Sequence, residues 1–280
     1  MSQEYNNIAD IIKQRPVLCA SIVATNEHDY FNQLEKAVEK DVDLAELRLD
    51  FINNIDENSA IHLISKSKVP LIVTNRNKEN GGTFSGDEKT RLSIIGSSIK
   101  AKPAFIDIEL STSEKDRNKI IDLAKENNVG VICSYHDFNK TPSETEIHKI
   151  YQEMSKTQSD LIKMVFTPHS NKDARTILKS NYDLRYEKIP YTLFGMGKAG
   201  QNTRLLSLLL GSCLTYCSIE SNSNTQNGLF QISVEEMKRY FSYLENQGWQ
   251  AIRKRGNEIL ELSMIELNND GSYPFKSIVS

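Results

Sequence analysis

Eight short β-rich runs recur along the chain, at residues 17–23, 43–49, 71–74, 104–109, 129–134, 161–166, 191–195 and 213–219. Between them lie longer segments with apolar residues at helical spacing and polar opposite faces, at 30–40, 58–66, 87–99, 113–126, 143–156, 172–180 and 203–210. Repeated strand–helix alternation needs crossover connections and therefore a mostly parallel sheet. Unbroken apolar runs such as LIVT at 71–74 suit strands covered on both faces. Two architectures meet that requirement, a doubly wound open sheet and a closed barrel. The usual mark of the first is a glycine-rich phosphate turn after the first strand, and here that turn reads Ala24-Thr25-Asn26-Glu27. The stretch GMGKAG at 195–200 follows the seventh run and lacks the third glycine at the required spacing, so it reads as a flexible βα loop. Eight units predict an α/β chain closed into a single (β/α)8 TIM barrel, and 280 residues suit one such domain.

A barrel of this kind carries its chemistry at the C-terminal ends of its strands. Polar residues interrupt the apolar runs there: Glu46, Arg48 and Asp50 end the second, Arg76 follows the third, Asp107 and Glu109 end the fourth, and His136 follows the fifth. Lys163 lies inside the sixth, in DLIKMVF, where desolvation and nearby cations would favour the free amine that attacks a ketone. The same residue also reads as a lysine paired with an inward carboxylate such as Glu109, or one reaching out to the rim. His136 has the side chain suited to proton transfer near neutrality, with His169, after the sixth run, as its competitor. Arg204 stands at a helix start after the glycine-rich segment, where a guanidinium could grip a carboxylate, though a surface arginine fits the same position.

Bulk properties remove several function classes. A net charge of -3 and a pI near 6.0 supply no basic field for nucleic acid. No apolar run approaches the roughly 20 residues needed to span a bilayer, and the polar N-terminus lacks a secretory signal, so a cytoplasmic protein is expected. Cys19, Cys133, Cys213 and Cys217 sit in or beside apolar stretches without paired C-x-x-C spacing, which reads as buried thiols and no metal.

The segments ELRLDF (46–51), TNR with a glycine pair (74–82), IDIEL (106–110), SYHDF (134–138), DLIKMVF (160–166), GMGKAGQNTR (195–204), GSCLTY (211–216) and FQIS (230–233) resemble, in content and order, the type I 3-dehydroquinate dehydratases. The resemblance spans about residues 17–237. It implies a cofactor-free lyase of the shikimate pathway that converts 3-dehydroquinate to 3-dehydroshikimate and water. Lys163 would form an imine with the substrate ketone, and His136 would carry the protons. Glu46 and Arg48 would contact substrate hydroxyls with Arg76 beside them, and Arg204 would hold the carboxylate. Ser21 and Gln231 match further substrate contacts, and Met196 and Tyr216 match apolar walls. A homodimer is also implied, with residues 1–15 covering the bottom of the barrel. Residues 248–280 extend past the usual end of the family, and Ile252, Ile259, Leu260, Leu262 and Ile265 could pack them on the barrel or on a neighbouring subunit. At two positions the chain departs from the family: Asn80 replaces a glutamate before the glycine pair, with Glu79 preceding it, and Asn227 replaces a serine in the last βα loop.

Overall fold

The apolar runs become strands, and most of the helices that follow are started by a short polar side chain at the end of the preceding loop. In the computed structural model, which describes residues 3–220 and 230–266, the order is α1 (Gln3–Gln14), β1 (Val17–Ile22), α2 (Glu27–Glu39), β2 (Leu44–Arg48), α3 (Glu57–Ser65), β3 (Leu71–Thr74) and α4 (Glu88–Ile99). It continues with β4 (Phe105–Glu109), α5 (Glu114–Glu126), β5 (Gly130–His136), α6 (Glu144–Met154), β6 (Leu161–Phe166), α7 (Asn171–Leu184) and β7 (Tyr191–Gly195). The last elements are α8 (Gly197–Gly200), α9 (Thr203–Leu210), β8 (Leu214–Ser218), α10 (Val234–Gln247), α11 (Trp249–Lys254) and α12 (Gly256–Glu266). Asn26, Asp56, Asp87, Ser113, Ser143, Ser170 and Ser233 each accept a hydrogen bond from a first-turn amide of the helix they precede. Those amides would otherwise lack intrahelical partners.

All strand pairs are parallel, in the order β7-β6-β5-β4-β3-β2-β1-β8, so eight strands form a nearly closed (β/α)8 barrel. The seam between β7 and β8 is held differently from the ladders. Cys213 N donates to Tyr191 O at 2.9 Å, Ser212 Oγ accepts from Leu193 N at 2.9 Å, and Thr192 Oγ1 donates to Leu214 O at 2.6 Å.

Side chains alternate between the two faces of each strand. Those pointing outward pack under the helices in two clusters, one with Leu18, Leu47, Val73 and Ile106 and a second with Cys133, Ile162, Met164 and Leu193 of β5 to β7. Those pointing inward near the strand starts, including Val17, Leu44, Ile72, Phe105, Ile132, Leu161 and Leu214, fill the barrel with Ile8 and Ile12 of α1. The lower barrel is therefore solid, and any pocket must open above it. The C-terminal helices join the outer core through Trp249, Ile252 and Ile259, with Leu260 partly buried against it, while the side chains of Leu262 and Ile265 lie outside the described residues. All four cysteines are free and buried. No helix among the described residues is long and apolar enough to cross a membrane.

Candidate active site

Two layers of inward side chains lie above the apolar plug. The lower one contains Glu46 of β2, Thr74 of β3, Asp107 of β4, Ser134 of β5, Lys163 of β6 and Tyr216 of β8. Register pairs Ser134 with Lys163 and Glu109 with Ser134. Lys163 Nζ lies 3.2 Å from Glu46 Oε1, 3.4 Å from Asp107 Oδ2 and 4.1 Å from the Tyr216 ring centroid. Thr74 Oγ1 donates to the same Glu46 oxygen at 3.0 Å, and Ser134 Oγ donates to Asp107 Oδ1 at 2.6 Å. These groups are buried, Lys163 being 5% exposed, so each charge is held by hydrogen-bonded partners rather than by water.

The upper layer is richer in cations. Arg76 binds Asp107 at 2.9 Å and Glu109 at 3.0 Å, and donates to Ser134 Oγ at 2.7 Å. Arg48 forks onto Asp50 at 2.8 and 2.9 Å, and Asp50 also accepts from Thr83 N at 3.1 Å. Arg204, at the start of α9, lies 4.5 Å above the Phe194 ring. The α8 turn that delivers it is closely packed: a Cβ on Gly200 would meet the Gly195 carbonyl carbon at 2.4 Å, so these two glycines let backbone approach backbone. The segment expected as a flexible loop is thus a helical turn seated on the end of β7.

His136 ends β5, two residues past Ser134 and on the same face. Its ring stacks on Phe138 at 5.8 Å with 9° between planes. Phe138 in turn covers Gly81, whose φ of +75° and missing Cβ leave room for the ring. Nδ1 of His136 is buried with no hydrogen-bond partner among the described residues. Burial pushes the imidazole well below its usual pKa, and the Arg76 and Lys163 cations push it further, with Asp107 acting in the opposite sense. Burial alone would raise Asp107, but Arg76, Lys163 and the Ser134 hydrogen bond hold it well below the usual carboxylate range. Burial and then Glu46 raise the Tyr216 phenol well above its ordinary value.

These groups surround one pocket at the C-terminal ends of the strands. Glu46, Arg48, Arg76, Asn80, His136, Lys163, Met196, Arg204, Tyr216 and Gln231 line it, and Gln231 Nε2 donates to Ser21 Oγ at 3.1 Å. Asn80 also donates to Asn77 Oδ1 at 2.8 Å and Ser111 Oγ at 3.1 Å. Asn227 lies outside the described residues. Three expectations change. Lys163 pairs with Glu46 and Asp107, whereas Glu109, one layer higher, is taken by Arg76 and Arg91. The nearest charged neighbours of the amine are therefore carboxylates, not cations. His169 drops out as a competitor, since it is exposed and its Nε2 lies 2.7 Å from Asn139 O. Phe138, Phe194 and Val165 line the pocket without having been singled out. Alternation with a period of two from Lys163 would have found Val165, while Phe138 and Phe194 carry no signal that separates them from core aromatics.

The family model for type I 3-dehydroquinase matches residues 18–247. The chain belongs to the type I 3-dehydroquinase family. Its curated relatives in this family include the 3-dehydroquinate dehydratase of Methanosarcina acetivorans, 37% identical over 232 residues, which are 81% of this chain and 95% of that protein. The corresponding enzyme of Methanosarcina mazei is 36% identical over 75% of this chain and 89% of its own. Among solved structures, a type I 3-dehydroquinate dehydratase from Clostridium difficile, carrying covalently modified comenic acid, superposes with a TM-score of 0.78. That match has 25% identity and covers 84% of this chain and 94% of the other. A 3-hexulose-6-phosphate synthase, 12% identical with a TM-score of 0.55, shares the fold alone. The 3-dehydroquinase match stops at residue 247, before α11 and α12.

Proposed function

We propose that the chain dehydrates 3-dehydroquinate to 3-dehydroshikimate through an imine on Lys163, with His136 moving the protons. The observation that carries this reading is that a buried amine and an imidazole of depressed proton affinity open onto one pocket from neighbouring strands. A C–H beside a ketone is a very weak acid, and an iminium turns the adjacent carbon into one that a neutral imidazole can deprotonate.

The steps balance within the pocket. The Lys163 amine, with Glu46 and Asp107 as its charged neighbours, attacks the C3 carbonyl, and His136 takes up the proton the nitrogen loses and returns it to the departing oxygen. Loss of that oxygen as water leaves the iminium. His136 removes a proton from C2, and the resulting enamine expels the C1 hydroxyl, which departs as water with the proton from His136. Hydrolysis of the product imine returns the free lysine and the enone. Arg204 holds the carboxylate, Glu46 and Arg48 face the hydroxyls beside Arg76, Ser21 and Gln231 add polar contacts, and Met196 and Tyr216 form apolar walls. Asn80 and Asn227 complete the set. The electron sink is made from the enzyme's own lysine, so the reading calls for no cofactor. A cytoplasmic homodimer, a single barrel domain and residues 1–15 as its cover belong to the same reading.

Treatment with 3-dehydroquinate and borohydride is expected to add covalent mass at Lys163, and Lys163→Ala to abolish both label and turnover. His136→Ala should still be trapped but should form almost no enone, read by its ultraviolet absorbance. An unlabelled Lys163 in an active enzyme ends the imine reading, and full turnover by His136→Ala removes the histidine from it.

A further inference from the structure

Arg91, on α4, is fully buried yet does not line the pocket. Its guanidinium spends its donors in several directions at once. Nη1 binds Glu109 Oε2 at 2.7 Å and donates to Asn75 O at 2.9 Å, and Nη2 donates to Thr112 Oγ1 at 3.1 Å. Nε and Nη2 fork onto Glu88 at 2.7 Å. The other oxygen of Glu109 holds Arg76 at 3.0 Å, Arg76 holds Asp107 at 2.9 Å, and Asp107 reaches Lys163 at 3.4 Å. Charges of alternating sign thus run from the helix layer to the reacting amine, and every link is buried.

We propose that Arg91 is a positioning residue for the dehydration: by fixing Glu109 it fixes Arg76 and Asp107, and through them the Lys163 amine and the charge around His136. The inference rests on the imine reading above. Only a planar fork can satisfy two carboxylates, a hydroxyl and a carbonyl together, which a lysine cannot. Without Arg91, Glu109 would be left with Arg76 alone, and Arg76 would be drawn toward it and away from Asp107. The buried network beside the pocket would also lose one positive charge. The charged groups around His136 are Arg48 of β2, Arg76 beyond β3, Asp107 of β4 and Lys163 of β6, with Glu46 and Arg204 in the same pocket. Added negative charge there favours the imidazolium.

Arg91→Met is expected to lower kcat by about 10- to 100-fold, as a displacement of reacting groups by about 1 Å does, with little change in KM. The acid limb of its kcat/KM profile should move to higher pH. Neutralising the orphaned carboxylate in Arg91→Met/Glu109→Gln should return that limb toward the wild-type position. Wild-type kcat and an unmoved limb in folded Arg91→Met overturn the proposal, as does a limb that stays displaced in the double variant. Should Arg91→Met not fold, Arg91→Lys answers the question: kcat falls while the limb stays, and a wild-type kcat there is the contrary result. Borohydride trapping of the wild-type enzyme separates the two ideas, because a missing Lys163 adduct refutes the imine, whereas a present adduct with fully active Arg91 variants refutes the positioning role.

Discussion

His136 shows how burial decides a residue's chemistry. An imidazole in water is half protonated near pH 6.5. Inside this pocket burial and the cations Arg76 and Lys163 shift it well below that, so at neutral pH it is uncharged, the state that the proposed proton abstraction needs. The acid limb of kcat/KM is therefore expected below pH 6.5, and a limb at or above that value speaks against this environment. The same shift has a stability consequence. Between the depressed folded value and about 6.5 the unfolded chain binds the extra proton, so stability falls as pH drops through that window. Urea unfolding at pH 7.5 and 5.5 should show a larger loss for the wild type than for His136→Gln, and equal losses contradict the shift. Asp107, also held low, acts in the same direction, but only below the ordinary carboxylate range.

The β7–β8 seam carries a prediction at the level of the strand. Ser212 accepts from Leu193 N and donates to Asn181 Oδ1 at 2.7 Å, all of it buried. Ser212→Ala leaves a buried amide and a buried amide oxygen unsatisfied, and should cost about 1–3 kcal/mol for each in denaturant unfolding. A loss under about 0.5 kcal/mol, the usual scatter for surface changes, shows that the seam does not depend on this hydroxyl. Much of the architecture was legible because parallel strands buried on both faces read as apolar runs, and polar residues breaking those runs marked the upper barrel. Lys163, Glu46 and Asp107 were all visible this way. Their pairing was not: Glu46 lies 117 residues from Lys163 in sequence, and which inward carboxylate meets the amine depends on strand stagger, which local pattern does not encode. The fifth run reads as ending at Ser134, where the unbroken apolar stretch stops. In the structure β5 continues through His136, and that extension turns its ring inward. The segment at Gly197–Gly200, which as a failed phosphate-turn match reads as a flexible loop, is a helical turn in the structure, where its close contact with Gly195 decides.

At the scale of the whole molecule, the C-terminal helices lie far from the chemistry but against the same framework. Trp249, Ile252 and Ile259 bury their side chains in the outer core, where α12 packs on α7 and α9. Arg253 donates to Leu208 O at 3.2 Å and Ser212 O at 2.9 Å, so it covers carbonyls at the end of α9 and at the foot of the seam. Arg204 stands at the opposite end of that short helix, with its own carbonyl held by Thr215 Oγ1 at 3.0 Å. Removing residues 249–280 takes away three large side chains that are buried among the described residues, each contributing about 1.5–3 kcal/mol as an upper estimate. It also returns Leu208 and its neighbours to water. A lowering of Tm by about 5 °C or more is expected, since each kcal/mol moves Tm by about 2–4 °C in a domain of this size. Because no residue of α11 or α12 lines the pocket among the described residues, the truncated chain should keep its kcat well below the new Tm while KM rises if α9 loosens its hold on Arg204. An unchanged Tm would mean that these helices add nothing to the barrel they cover.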